Sequence, residues 1–256
     1  MIHPTACIDA RAQLGANVSV GPFCVIGANV DIGAGTVLGS HVVIEGPTRI
    51  GRDNRFFPFC SIGADPQDKK YQGETTRLEI GDGNTFRESM TVHRGTAGGG
   101  GVTRIGNDNW LMAYVHIAHD CRVGDHTVIA NAAALAGHVS VDDYAILGGY
   151  SLVHQFCRVG AHAFTSMGSV INRDVPPFFT VAGHFAEPKG INSEGLKRRG
   201  FSADQLLAVK RAYKTLYLSG LPLAEARNQI AQAAAIDAEL QLLVDFIDRS
   251  ERGLVR

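Results

Sequence analysis

Aliphatic residues recur along the chain with a step of six. A first run passes through Ile8, Leu14, Val20, Ile26, Ile32, Leu38, Ile44, Ile50, Phe56 and Ile62. A short run, Ile80, Phe86 and Val92, follows. A third extends from Ile105 through Leu111, Ile117, Val123, Ile129, Leu135, Val141, Leu147 and Val153 to Val159, and trails off near Thr165 and Ile171. Neither a helix (period 3.6) nor a lone strand (period 2) sustains such a spacing. A hexapeptide repeat of this kind predicts a parallel β-helix. Each hexad supplies one short strand and one corner, and three hexads close a triangular coil of 18 residues. Coils stack at roughly 4.8 Å per layer. Four positions after the aliphatic residue a small one recurs (Val18, Cys24, Val30, Thr36, Val42, Cys60, Cys121, Cys157), predicting a second interior position.

The breaks in the pattern predict the remaining architecture. ADPQDKKYQGETTR, between Ile62 and Ile80, is polar and lacks the repeat, and RGTAGGGGVTR stretches the step from Val92 to Ile105 to thirteen. Both read as loops leaving the prism (64–78 and 94–104), and long loops on a rigid scaffold are candidate binding elements. The four glycines at 98–101 have no strand–loop–helix context, so a flexible loop is expected there rather than a phosphate cradle. The repeat ends near residue 175, before Pro176 and Pro177. Ser202 and Gln205 form a capping-box signature, and helical spacing runs from Leu206 to Tyr217. Pro222 suits the first turn of a second helix, and a third is expected over roughly Asp237–Arg249. The expected division is a β-helix over 1–185 and a helical domain over 186–256.

Composition sharpens this. Glycine accounts for 30 of 256 residues, against about 7% on average. Twelve of them directly follow the inward aliphatic residue, where corners are expected to need backbone angles glycine tolerates. With 45% hydrophobic residues and a net charge of −1, the chain is neither disordered nor a polyanion binder held by bulk charge. Nucleic acid is therefore not an expected partner. The five cysteines are scattered, without a CxxC pair, and read as free thiols in a reducing compartment. The start MIHPTACIDARAQLG lacks a signal-peptide pattern, and no apolar run is long enough to span a membrane. A cytoplasmic location is expected.

Two clusters carry candidate chemistry. Lys197, Arg198, Arg199, Lys210, Arg211 and Lys214 face only Glu194 and Asp204 between residues 190 and 217. This is either a solvated helical face or a docking patch for an acidic partner or a phosphate. The second cluster is histidine. Ile117, Leu135 and Val153 are eighteen residues apart and share a face. His116 and His119 flank the first, His138 follows the second, and His154 with Gln155 follows the third. A histidine ladder along one edge is expected. It points either to general acid–base work near neutral pH or to a metal.

The segments AYVHIAHDCRVG, AGHVSVDDYAILGG, VHQFCRVGAH, INSEGLKRRGF, QDKKYQGETTR and ESMTVHRGT resemble the acyl-ACP–UDP-N-acetylglucosamine O-acyltransferases, which open lipid A biosynthesis. The resemblance extends over nearly the whole chain. It implies a left-handed β-helix, an exception to the right-handed crossover rule, and a homotrimer with active sites between subunits. It implies transfer of an (R)-3-hydroxyacyl group from acyl carrier protein to the glucosamine 3-hydroxyl of UDP-N-acetylglucosamine. No metal or cofactor is implied beyond the phosphopantetheine that carries the donor. By matching motif, His119 is the general base, Asp120 supports it, and Gly137 offers its N–H to the thioester oxyanion. His138 lies near the reacting acyl group. Asp68 and Lys70 hold the sugar nucleotide, with His116 at the sugar. His93, His154, Gln155, Asn192, Glu194, Arg198 and Arg199 match substrate-contacting positions, the arginines suiting a diphosphate by their bidentate fork. The basic helical face then meets acyl carrier protein.

Met167 stands where long-chain enzymes of this family carry glycine, which implies a shorter acyl groove and a preference for hydroxydecanoyl over hydroxymyristoyl. His184, in GHFAEP, receives no role. The rivals are other hexapeptide acyltransferases and, with zinc held by histidines, a γ-type carbonic anhydrase. A structural β-helix subunit is opposed by the histidines.

Overall fold

A computed structural model describes residues 1–256. The inward residue of each hexad lies in a two- to four-residue parallel strand, and the strands stack into three faces. The first face has nine strands, from Cys7–Ile8 to Val170–Ile171. The second has eight, from Gln13–Leu14 to Arg158–Val159. The third has ten, from Ser19–Val20 to Ala186–Ile191. The coil is the left-handed parallel β-helix. Register follows the eighteen-residue step: Ile117 pairs with Leu135, and Leu135 with Val153. The aliphatic positions are buried in one continuous core, in which Phe56 stacks on Phe86 at 4.4 Å.

The second interior position is filled as expected. Cys24, Cys60, Cys121 and Cys157 are buried, and Cys121 Sγ donates to the Ala136 carbonyl at 3.1 Å. Burial pushes the Cys60 and Cys121 thiols up to about 12, so they are inert fillers. Between the second and third faces this position is polar in the middle coils, from Thr36 through Asn54, Asn84 and Asn109 to Thr127. Asn84 donates from Nδ2 to Asn54 Oδ1 and to the Gly106 carbonyl, and its Oδ1 accepts the Asn109 N–H at 2.9 Å. This buried amide ladder satisfies backbone groups at the corner, as buried polar groups must be.

The glycine expectation needs correction. The left-handed turn residue is the third after the aliphatic one, and eighteen such residues are not glycine, among them Asn17, Phe59, Asp120 and His138. The glycine directly after the aliphatic residue has an ordinary φ at nearly every coil, Gly63 being an exception. It is needed because the next coil passes too close: a Cβ at Gly33 would lie 2.4 Å from the Gly51 carbonyl oxygen.

Both excursions leave the corner between the first and second faces, after the strands Ser61–Ala64 and Thr91–His93. Beyond the last coil, a hairpin of Phe179–Gly183 and Ala186–Ile191 extends the third face. Four helices follow: α1 (Ser193–Arg198), α2 (Ala203–Tyr217), α3 (Leu223–Ala234) and α4 (Leu240–Asp248). The Ser202–Gln205 capping box starts α2. Pro222 takes the N-cap of α3 rather than its first turn, and α4 is shorter than its sequence pattern. The six-residue α1 has too few apolar positions to announce itself. Phe178, Phe179, Leu196, Leu216, Leu243 and Phe246 form a second core. No helix is long and apolar enough to cross a membrane.

Candidate active site

The site builds up at the corner between the first and second faces. Asp120 occupies a left-handed turn position (φ 60°), and its N–H donates to Thr103 Oγ1 at 2.8 Å. Its side chain is 1% exposed. A buried carboxylate persists only with partners, and this one has three donated bonds. His119 Nδ1 donates to Oδ2 at 2.8 Å, Thr96 Oγ1 donates to the same oxygen at 2.7 Å, and the Thr96 N–H donates to Oδ1 at 2.9 Å. With Nδ1 so engaged, the His119 Nε2 carries the lone pair. One coil on, Gly137 lies against the His119 ring: a Cβ there would be 2.5 Å from Cε1 and 2.7 Å from Nε2. The Gly137 N–H makes no hydrogen bond within the chain.

His138 stands one layer above Asp120. It meets His119 edge-on at 5.2 Å, stacks on Phe156 at 4.4 Å, and brings Nε2 to 3.7 Å from Asp120 Oδ2. Burial pushes its pKa down, while the charges of Asp120 and Asp68 pull it up. A groove of about 510 Å³ runs beside it, lined by Asp68, Lys70, Tyr71, Glu74, His138, Phe156 and the 96–99 segment. Both excursions therefore converge on this corner. Arg94, buried, ties them together through Asp65, the Gly63 carbonyl and Tyr71 Oη. On the first face, His116 Nδ1 shares a 2.8 Å bond with Thr91 Oγ1, and burial, then the charges of His93 and His119, pushes its pKa down. His93 Nδ1 donates to the Asp65 carbonyl at 2.6 Å, and its Nε2 is buried without a partner.

The single histidine ladder does not form. The four residues occupy different positions in their hexads, so each points differently: His116 lies on the flat face, His119 and His138 turn into the corner, and His154 is exposed beside Arg252. The column above Asp120 is instead His138 and Phe156, every eighteenth residue, with Gln155 two layers above His119. That spacing was the signal for Phe156. Thr103, two residues before Ile105 in the strand Val102–Ile105, sits at the repeat's second interior position and was legible from it. Thr96 and Arg94 had no such signal, because they lie outside the repeat. The 98–101 loop is also not free: Thr96 and Gly99 pack it onto Asp120.

Asn192, Glu194, Arg198 and Arg199 lie on another edge of the same chain. Asn192 caps α1 and donates to the His162 carbonyl at 2.9 Å, while Glu194 pairs with Lys197. Arg199 lies over Tyr144 at 4.6 Å, within an aromatic column of His126, Tyr144, His162 and Phe178. Met167 is 78% exposed on the remaining edge.

His119, Asp120 and His138 are close enough to share a cation. Asp120 is already committed to His119 and Thr96, however, which is the arrangement of a carboxylate that orients an imidazole.

Two family models match the chain. One, described as UDP-N-acetylglucosamine O-acyltransferase, domain 2, matches residues 174–255. The other, the bacterial transferase hexapeptide, matches 11–46 and 103–137. The chain is 60% identical over 255 residues to the acyl-[acyl-carrier-protein]–UDP-N-acetylglucosamine O-acyltransferase of Halorhodospira halophila, spanning 100% of this chain and 99% of that protein. The Stenotrophomonas maltophilia protein of the same name is 58% identical over 256 residues, spanning 100% and 97%. The solved UDP-N-acetylglucosamine acyltransferase of Francisella novicida superposes with a TM-score of 0.98 at 47% identity, over 100% of this chain and 94% of that one.

Proposed function

This chain belongs to the acyl-ACP–UDP-N-acetylglucosamine O-acyltransferases, and we propose that it transfers its acyl group with His119 as general base, in the first step of lipid A biosynthesis. The observation that carries this reading is the dyad: a buried Asp120 fixing His119 Nδ1 at 2.8 Å and leaving Nε2 free. Nε2 takes the proton of the glucosamine 3-hydroxyl, and the freed oxygen attacks the thioester carbonyl of an (R)-3-hydroxyacyl group. Asp120 stabilises the imidazolium that forms. The unengaged Gly137 N–H receives the oxyanion, a donor worth roughly 3–4 kcal/mol. Collapse breaks the carbon–sulfur bond, and the imidazolium returns its proton to the departing phosphopantetheine thiolate. His138, against Phe156, lines the acyl side of the groove. No further cofactor enters.

Asp68, Lys70, His93 and His116 hold the sugar nucleotide. Gln155, His154, Asn192, Glu194, Arg198 and Arg199 complete its binding. The placement of the last four beside a different edge from Asp120 supports a homotrimer whose sites are assembled between subunits. The basic face of α1 and α2 receives the acidic acyl carrier protein, which sets the enzyme in the cytoplasm. Met167 ends the acyl groove and selects hydroxydecanoyl.

Replacing His119 by alanine tests the mechanism, because a general base contributes about 10²–10⁴-fold. Acyl transfer to UDP-N-acetylglucosamine should fall by that factor. Activity within a few-fold of the unaltered enzyme overturns the assignment.

A further inference from the structure

The glycine-rich excursion holds two of the three bonds donated to the Asp120 carboxylate. Thr96 is buried and donates twice to Asp120, from Oγ1 to Oδ2 and from N–H to Oδ1. Oδ2 is the oxygen that also takes His119 Nδ1. Thr96 Oγ1 accepts the Gly99 N–H at 3.2 Å in turn, closing the single turn Ala97–Gly99. That turn lays Gly99 on the carboxylate so closely that a Cβ would sit 2.1 Å from Asp120 Cγ. Hydroxyl and glycine thus serve one end: the first sets the rotation of the carboxylate, and the second covers it.

We infer that Thr96 is a positioning residue for acyl transfer. A carboxylate gripped on both oxygens cannot rotate, so the atom that faces His119 Nδ1 stays in place. The imidazole then keeps one tautomer and one ring plane, with Nε2 held beside Gly137. The inference rests on the reading of His119 as the base.

The test uses the full chain, assayed for transfer from hydroxydecanoyl-charged acyl carrier protein to UDP-N-acetylglucosamine. Thr96→Val keeps the shape and the backbone bond and deletes the hydroxyl bond to a charged acceptor, a bond whose loss corresponds to about ten- to a hundred-fold. That loss is expected in kcat, with KM for the sugar nucleotide within about two-fold. Thr96→Ser should recover activity to within about three-fold. In a His119→Ala background Thr96→Val should cost nothing further, because residues that act as a unit are not additive. A Thr96→Val enzyme with unaltered kcat, a loss that falls on KM instead, or a serine that fails to rescue overturns the inference. If His119→Ala is nearly inactive in the same assay, the base assignment survives that outcome. If His119→Ala is active, both fall. Should Thr96→Val fail to fold, Gly99→Ala replaces it, since its methyl displaces the carboxylate: the same kcat loss is expected, and normal kcat overturns the inference.

Discussion

Replacing Gly137 by alanine isolates the steric part of the site. The position has an ordinary φ, so the backbone accepts the substitution, and the N–H proposed to meet the oxyanion is retained. What changes is one methyl group, placed 2.5 Å from His119 Cε1 and 2.7 Å from Nε2. Non-bonded carbons settle at about 3.5–4.0 Å, so the ring must retreat by about 1 Å. It cannot do so freely: it is 14% exposed, bonded to Asp120 on one side and edge-on to His138 on the other. A displacement of that size costs on the order of 100-fold in rate. Stability should fall slightly as well, because the overpacked ring costs about 1–3 kcal/mol against the about 0.4–1 kcal/mol that alanine gains over glycine through the unfolded chain. The assay is kcat for acyl transfer alongside thermal unfolding. A folded Gly137→Ala enzyme with kcat within three-fold of the parent refutes the packing argument.

Three further outcomes are expected. His162 is half-buried in the ring column, and that partial burial, then the charge of Arg199, pushes it down to about 4. The unfolded chain binds that proton near pH 6.5, so the folded state loses stability as pH falls from about 6.5 to 4 and keeps it above. At 1.36 kcal/mol per unit, discounted for the ring's partial exposure, this amounts to about 1–2 kcal/mol. His162→Phe should flatten the melting temperature over that range, and an unchanged slope sinks the idea. Met167→Gly should raise the kcat/KM ratio of hydroxymyristoyl over hydroxydecanoyl by at least about ten-fold, given up to about 0.8 kcal/mol for each newly buried methylene; an unmoved ratio removes Met167 from the groove. Asn84→Ala strips partners from the Gly106 carbonyl and the Asn109 N–H, and should cost about 2–4 kcal/mol in urea unfolding. A loss under 1 kcal/mol contradicts the ladder's structural role.

The fold was legible because each coil repeats one decision: Ile117, Leu135 and Val153 must all point inward, and the step of eighteen stacks them. The same step assigns every residue a layer, and so puts Phe156 in one column with Asp120 and His138, although its residue type alone singles out no chemistry. It does not assign a direction within the corner, where three consecutive residues turn through different angles, and His154 was therefore grouped with residues it does not face. Glycine misled in a similar way. Gly33 looked like a turn residue, but its constraint comes from Gly51 in the neighbouring coil, a contact that emerges only after stacking. Thr96 was invisible for a simpler reason: a loop outside the repeat has no register from which to infer its neighbour.

The excursions leave one corner with little disturbance to the lattice beneath it, a one-residue register shift where Ala64 pairs with His93. Ile62 still pairs with Val92, and Ile80 with Ile105, on either side of the two departures. The catalytic geometry accordingly has two separable parts. The spacing of His119 from Gly137 is dictated by backbone pairing between coils and tolerates no adjustment. The reach of the 65–76 segment is set by chain length, and doubling a loop adds only about 0.6 kcal/mol of closure entropy. Recognition can therefore be retuned by exchanging one ribbon of surface chain, while the chemistry stays clamped in the masonry of the coil.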